Sequence, residues 1–317
     1  MPPLFRFRSE AQGESNTAAL RVVSNGRSGN LMSSRENNAG RLSISRRALL
    51  GLGMGAAGAG LGVSFGLGRI MGEDSTMRST SPGRETPQLS RGRLGARPLE
   101  VKTAAATAST GLQQLKLESG RDGFIYVPAA YRAERPAPLM LMLHGAGGNA
   151  RHSIPLLQRF ADREGLILLV PDSRGQTWDV INGGYGPDVA YIDRALEQTF
   201  SRYRIDPARL AIGGFSDGAS YALSLGATNG DLFTHVVAFS PGFMSPASEH
   251  GSPAVFISHG TRDAVLPIAA CSRKIVPRVK RAGYKVRYRE FDGAHTVPAE
   301  IAVEAIDWFL KDVGADS

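Results

Sequence analysis

Cysteine is nearly absent from this 317-residue chain, with Cys271 standing alone. A single thiol excludes an internal disulfide framework and a zinc site built from several thiolates, and it leaves the redox compartment open. Basic surplus is missing where a nucleic-acid binder would need it. Residues 1–100 carry +7 of the net +8, all of it from arginine, and the rest of the chain is close to neutral. A folded nucleic-acid module would show its basic face on the core. No cluster of metal ligands at suitable spacing and no phosphate loop occurs, so neither a metal nor an organic cofactor is implied. One uncharged run is long enough to span a bilayer, the Gly/Ala/Leu stretch ending before Arg69, but its many glycines make it a poor permanent anchor.

What is present falls into three parts. Residues 1–44 are rich in Arg, Ser, Asn and Gly without apolar periodicity, the composition of a disordered tail. Ser45-Arg46-Arg47-Ala48-Leu49-Leu50 then leads into the uncharged run, a pairing that resembles a twin-arginine export signal. Met32 is a reasonable start, since it leaves an n-region of usual length, and no small-residue cleavage site is visible directly after Arg69. Residues 1–69 are thus expected to be a basic tail plus signal, directing export to the periplasm or beyond, with a cytoplasmic location as the alternative. Residues 70–111 read as a flexible Ser/Arg/Gly/Pro linker. Residues 112–317 read as the folded domain.

From Leu112 onward strands and helices alternate. Leu112–Leu117 and Phe124–Val127 are expected to open the domain as an antiparallel pair. Leu139–Leu143, Leu166–Val170, Leu210–Gly214, Val236–Phe239, Ala254–Ser258 and Val286–Phe291 follow as strands. Ile154–Arg163, Tyr191–Tyr203, Asp217–Leu225, Ile268–Ala282 and Ala299–Leu310 have helical character. The alternation predicts an α/β fold, one mostly parallel sheet with helices on both faces. Such sheets carry their sites at the carboxyl ends of the strands.

The chemistry-bearing residues fall at those ends. Leu210–Gly214 runs into Gly-Phe-Ser-Asp-Gly at 214–218, strand then sharp turn then small-residue helix, which is the sequence form of a nucleophile elbow with Ser216 at its apex. Flanking glycines suit a serine held in a strained turn. The helix start brings N–H groups and a positive dipole end toward a developing oxyanion. His144-Gly145-Ala146-Gly147-Gly148 follows the strand at 139–143, where the backbone can approach a ligand closely. The N–H groups of Ala146 and Asp217 are the candidate oxyanion donors. The Asp217 carboxylate is expected to turn outward. His144 and Gly145 sit on the substrate side of this turn, His144 with a ring hydrogen bond that stiffens it. Asp263, in the turn after the strand at 254–258, is preferred as the acidic partner over Asp292. His295 is the one histidine of six that lies beyond both Ser216 and Asp263 at a strand's carboxyl end, and it is the expected base. The loop 171–187, with Trp178, Asn182 and Tyr185, is expected to wall the site, Trp178 serving either the substrate or the packing of its loop.

His-Gly-Ala-Gly-Gly at 144–148, Gly-Phe-Ser-Asp-Gly at 214–218, His-Gly-Thr-Arg-Asp at 259–263 and Gly-Ala-His at 293–295 together resemble the α/β-hydrolase superfamily. Within it, residues 112–313 are similar to the bacterial phospholipase/carboxylesterase group and to secreted esterases related to polyhydroxybutyrate depolymerases. The resemblance implies Ser216, Asp263 and His295 as a catalytic triad and a carboxylic ester as substrate. Asp217 stands where acyl-protein thioesterases often carry Gln, which disfavours a thioesterase. The multiple cysteines of secreted depolymerases and feruloyl esterases are missing, as is a separate polymer-binding domain. The short stretch before Ala254 leaves no room for a large cap domain, so an open site for small or surface-displayed esters is expected. A lysophospholipase, a thioesterase, a serine peptidase of the same fold and a non-catalytic binding protein are the alternatives.

Overall fold

In the computed structural model, residues 88–98 and 109–311 are described, all within one unit, Thr76–Ser317. The expected tail and export signal at 1–69 lie outside the described residues, as do 70–87 and 99–108 of the expected linker.

Eight strands form one sheet in the order β1-β2-β4-β3-β5-β6-β7-β8. In chain order they are β1 (Gly111–Gln114), β2 (Gly123–Val127), β3 (Ala137–Leu143), β4 (Ile167–Pro171), β5 (Ile205–Phe215), β6 (His235–Phe239), β7 (Ala254–Gly260) and β8 (Val286–Phe291). The β1–β2 and β2–β4 pairs are antiparallel and every other pair is parallel. Among the described residues five α-helices accompany them: α1 (Ala150–Glu164), α2 (Pro187–Arg202), α3 (Asp217–Thr228), α4 (Ser272–Arg281) and, after the last strand, α5 (Ala299–Lys311).

The apolar runs explain the layering. β3, β4 and β6 are buried along their whole length, which requires cover on both faces. Alternate residues of β3 enter opposite cores. Leu139, Leu141 and Leu143 belong to the core that includes α2, α3 and α4, whereas Met140 and Met142 belong to the core that includes α1 and α5. The edge strand β8 alternates half-exposed and exposed residues and carries Arg287 and Arg289 outward, so its free edge is charged. Between β6 and β7 the chain spends only residues 240–253, and no cap domain is inserted.

Element boundaries shift for identifiable reasons. β1 stops at Gln114 because Lys116 takes a positive φ of 57° and the Asp122 carboxylate captures the N–H groups of Lys116 and Leu117. α1 starts at Ala150, where the Asp172 carboxylate accepts the first helical N–H at 2.5 Å. α4 starts at Ser272, since 268–271 are turns with Cys271 N–H bonded back to Pro267.

One expectation is corrected. Residues 88–98 fall in the stretch read as flexible linker, yet they are docked on the domain. Leu94 is buried and its N–H donates to Asn229 Oδ1 at 2.9 Å, while Asn229 Nδ2 donates to Gly92 O at 2.7 Å. Asp193 of α2 accepts the N–H groups of Gly95 and Ala96, both at 2.8 Å. Arg93 forks onto Asp231 at 2.7 and 2.8 Å. Composition signals low hydrophobicity here; it does not reveal that Leu94 has a slot and that each neighbouring polar group has a partner.

Candidate active site

Ser216 sits between β5 and α3 with φ 57° and ψ −120°, a conformation that L residues avoid and that persists only when the surroundings hold it. The surroundings are specific. Its N–H donates to Phe239 O at 2.9 Å, fastening the turn to β6. A Cβ on Gly214 would lie 2.2 Å from Gly218 O, and one on Gly218 would lie 2.3 Å from Leu143 O. Strand and helix cross so closely that only glycine fits on either side of the serine.

The other two loops arrive zippered together. Thr261 N–H donates to Phe291 O at 2.8 Å and Arg262 N–H to Gly293 O at 2.9 Å. A Cβ on Gly260 would meet Gly293 O and Ala294 O at 2.4 Å. This close seam brings the turn after β7 against the loop after β8. His295 Nδ1 then lies 2.6 Å from Asp263 Oδ2, and His295 Nε2 lies 2.9 Å from Ser216 Oγ. Phe215 packs beside the imidazole, ring centroids 4.7 Å apart. The second oxygen of Asp263, Oδ1, accepts the N–H groups of Val265 and Leu266 at 2.9 and 2.8 Å. Burial works to raise the Asp263 carboxyl, but the Leu266 N–H, the His295 ring and the Val265 N–H outweigh it and hold it below its ordinary value. The rival Asp292 is 78% exposed and pairs with Arg262 at the surface.

The glycine turn 144–148 faces this relay. Gly147 N–H donates to Gln176 O and Gly148 N–H to Gly145 O. Among the described residues no backbone acceptor takes the N–H of Ala146 or of Asp217. The His144 ring has one consistent tautomer. Ser173 N–H donates to Nε2 at 3.0 Å, so Nδ1 carries the proton and donates to Gly145 O at 2.7 Å. Burial keeps this ring below its ordinary pKa, with nearby Arg121 adding to the effect. The Asp217 carboxylate accepts from Thr177 Oγ1 at 2.6 Å.

A cleft of about 390 Å³ adjoins these groups, lined by His144, Gly145, Ala146 and His295 at the polar end and by Met142, Leu156, Phe215 and Val297 as apolar wall. Two expected wall residues are corrected. Trp178 is fully buried, stacked on Tyr221 with centroids 5.3 Å apart, and its indole N–H donates to His144 O at 2.8 Å. It braces the glycine turn from beneath and cannot touch a substrate. Tyr185 packs at the rim of the same core and donates its hydroxyl proton to Ser245 O at 2.9 Å, away from the cleft. Leu156 and Val297 are wall residues that the sequence does not reveal, lying in α1 and just after His295 at positions indistinguishable from ordinary core.

Below the elbow, α3 carries a ladder of hydroxyls. Ser220 Oγ–H donates to Ser216 O at 3.2 Å and its oxygen accepts Gly242 N–H at 2.9 Å. Ser224 accepts Ser245 N–H at 2.9 Å, and Thr228 accepts Ala247 N–H at 3.3 Å. One helix face thereby pins the segment 242–247 that follows β6. Among the described residues no group of acidic, histidine and cysteine side chains is arranged to hold a metal ion, and no helix is long and apolar enough to cross a membrane.

A sheet of this order, with a strained serine between its central strand and the following helix, is the architecture of the α/β-hydrolase fold. Two solved structures share the fold. Esterase PE8 aligns with a TM-score of 0.50 at 22% identity over 60% of this chain and 97% of its own. The thermophilic esterase Est2 of the planctomycete Thermogutta terrifontis aligns with a TM-score of 0.50 at 19% identity, over 65% and 92%. More particularly, residues 188–313 match the family described as Phospholipase/Carboxylesterase, a span that holds Ser216, Asp263 and His295 but not the 144–148 turn. Curated relatives include feruloyl esterase C of Emericella nidulans, 28% identical over 170 residues, 51% of this chain and 61% of that protein. An acetylxylan esterase of Coprinopsis cinerea is 30% identical over 121 residues, 35% and 32% of the two chains. The chain spans about 60% of the length of the feruloyl esterases it matches.

Proposed function

We propose that this protein is a serine hydrolase of carboxylic esters. The observation that carries the reading is the continuous relay from Ser216 Oγ through His295 to Asp263, at 2.9 and 2.6 Å, beside a cleft lined by His295 and Ala146. In this mechanism His295 Nε2 takes the Ser216 proton as the oxygen attacks the ester carbonyl. Asp263 keeps the imidazole in the Nδ1–H tautomer and stabilises the imidazolium. The Ala146 and Asp217 N–H groups receive the negative oxygen of the tetrahedral intermediate. Collapse transfers the proton to the leaving alkoxide, and water, activated by the same imidazole, releases the acid from the acyl-enzyme.

The apolar wall of Met142, Leu156, Phe215 and Val297 receives the hydrocarbon part of the ester. With relatives named as feruloyl and acetylxylan esterases, both a short acyl group and an aromatic hydroxycinnamoyl group belong in the test set. Thioesters, lysophospholipids and peptides are the competing substrates. Residues 1–69 act as tail and twin-arginine signal in this reading, which makes the enzyme an exported one acting on small-molecule or surface-displayed esters.

Hydrolysis of p-nitrophenyl acyl esters of increasing length and of methyl ferulate, by the wild type beside Ser216→Ala, tests the proposal. The wild type is expected to turn over at least one ester class, and Ser216→Ala to lose about 10⁴-fold or more in kcat. A folded wild type inert toward all of them, or a Ser216→Ala variant with undiminished turnover, refutes it.

A further inference from the structure

His259 belongs to the His-Gly-Thr-Arg-Asp stretch that ends β7, yet the mechanism above gives it no part. It is fully buried, four residues before Asp263. Its Nε2 lies 2.7 Å from Leu266 O and 3.2 Å from Asp263 Oδ2, the same carboxylate oxygen that holds His295. Its Nδ1 lies 2.7 Å from Ser272 Oγ, at the first residue of α4. These partners settle the tautomer. A carbonyl and a carboxylate can only accept, so Nε2 carries the proton and shares it between them. Nδ1 is then the acceptor, and the Ser272 hydroxyl donates to it.

We propose that His259 is a positioning residue for the reaction: its Nε2–H locks the Asp263–Leu266 turn and competes with His295 for Asp263 Oδ2, setting how strongly the carboxylate grips the catalytic imidazole. The role rests on the serine-hydrolase reading. Physically, a carboxylate oxygen that accepts a second N–H has less charge to offer the imidazolium. The His259 ring therefore keeps Asp263 ionised and oriented without letting it over-stabilise the charged form of His295. Burial holds His259 below its ordinary pKa, which keeps the ring neutral and its Nδ1 available to Ser272. The groups facing it are few. Asp263 and His295 lie on the loop side, and Glu290 is its register partner on β8, already tied to Arg273 at 3.0 and 2.8 Å. Cys271, beside Ser272, is buried, and that burial, with Asp263 adding to it, pushes the thiol up, so it adds no charge.

The sign of the effect follows. Removing the Nε2–H strengthens the Asp263 hold on protonated His295, so the base stays protonated to higher pH and the acid limb of activity moves up. The test compares wild type with His259→Leu, which deletes the donor, and with His259→Gln, whose carboxamide nitrogen reaches the place of Nε2. The His295 ring is titrated by NMR, its signal assigned by loss in His295→Gln, and the pH profile of kcat/KM is recorded on the best p-nitrophenyl ester. In His259→Leu the His295 midpoint and the acid limb are expected to rise together by about half to one pH unit, and kcat to fall about ten-fold at constant KM. His259→Gln should restore both to near wild type. If His259→Leu does not fold, Ser272→Ala decides, because losing the hydroxyl weakens the same donor and should raise the midpoint by a smaller amount.

An unmoved midpoint in folded His259→Leu, or in Ser272→Ala where the former fails, overturns the proposal. So does a His259→Gln variant as impaired as His259→Leu, which would assign the effect to ring packing. The NMR titration needs no turnover, so an inactive wild type with the expected midpoint shifts sinks the hydrolase reading alone.

Discussion

A buried carboxylate ties pH to the loop whose Trp178 braces the glycine turn 144–148. Asp188 accepts the N–H of Arg174 at 2.6 Å and of Asp179 at 2.7 Å, the two ends of the loop that carries Trp178. Burial drives its carboxyl up to about 6, and the nearby Asp179 adds to the rise, against the pull of its two N–H donors. A carboxyl raised in the folded state favours folding when protonated. Its contribution is present at acid pH and is lost as pH climbs through about 6. Asp188→Asn removes that titration. Urea melts of variant and wild type between pH 4 and 8 are therefore expected to show the variant gaining on the wild type as pH rises, by up to about 3 kcal/mol across the window. A pH-independent difference refutes this. The same neighbourhood shows why the sequence leaves Trp178 open between substrate and packing and points Tyr185 at the wall. An aromatic residue in a loop after a strand fits a substrate wall and a core brace equally well, and only the placement of Tyr221 beneath it decides. His259 was hidden for a related reason: its motif was visible, while two of its three partners, Leu266 and Ser272, look ordinary in sequence.

At the scale of elements, the elbow depends on the contact between β5, β3 and α3. Gly218→Ala would drive a methyl into Leu143 O and His144 O, at 2.3 and 2.5 Å. It is expected to cost about 3 kcal/mol or more and to abolish turnover, read as a fall in the urea midpoint and in kcat. Gly175→Ala, in the loop beside the glycine turn 144–148, is the control, since its nearest neighbour would be Thr177 O at 3.6 Å. Equal effects of the two would show that backbone crowding at the elbow is not what demands glycine. Strands and helices here were legible because each apolar run has the length and period of one element, and the chain order of Ser216, Asp263 and His295 puts all three at strand ends. Boundaries were less legible. Lys116 and Ala150 mark boundaries because the carboxylates of Asp122 and Asp172, 6 and 22 residues further on, take their N–H groups, and the apolar pattern does not encode those partners.

For the whole molecule, the segment 88–98 is a staple across α2 and the end of α3. It adds the burial of Leu94, the fork of Arg93 onto Asp231, and the exchange with Asn229. Arg93 holds the Asp231 carboxyl well below the usual range. A chain beginning at residue 100 is expected to be less stable than one beginning at residue 88 by about 2–4 kcal/mol, measured as a difference in urea unfolding. No loss on removing residues 88–99 would mean that the staple contributes nothing. If the enzyme is exported as proposed, the staple also bounds its maturation. A cut after Leu94 would release the clamp from the body. The mature terminus should accordingly fall before Gln88, so the docked segment works as a ruler for where trimming must stop.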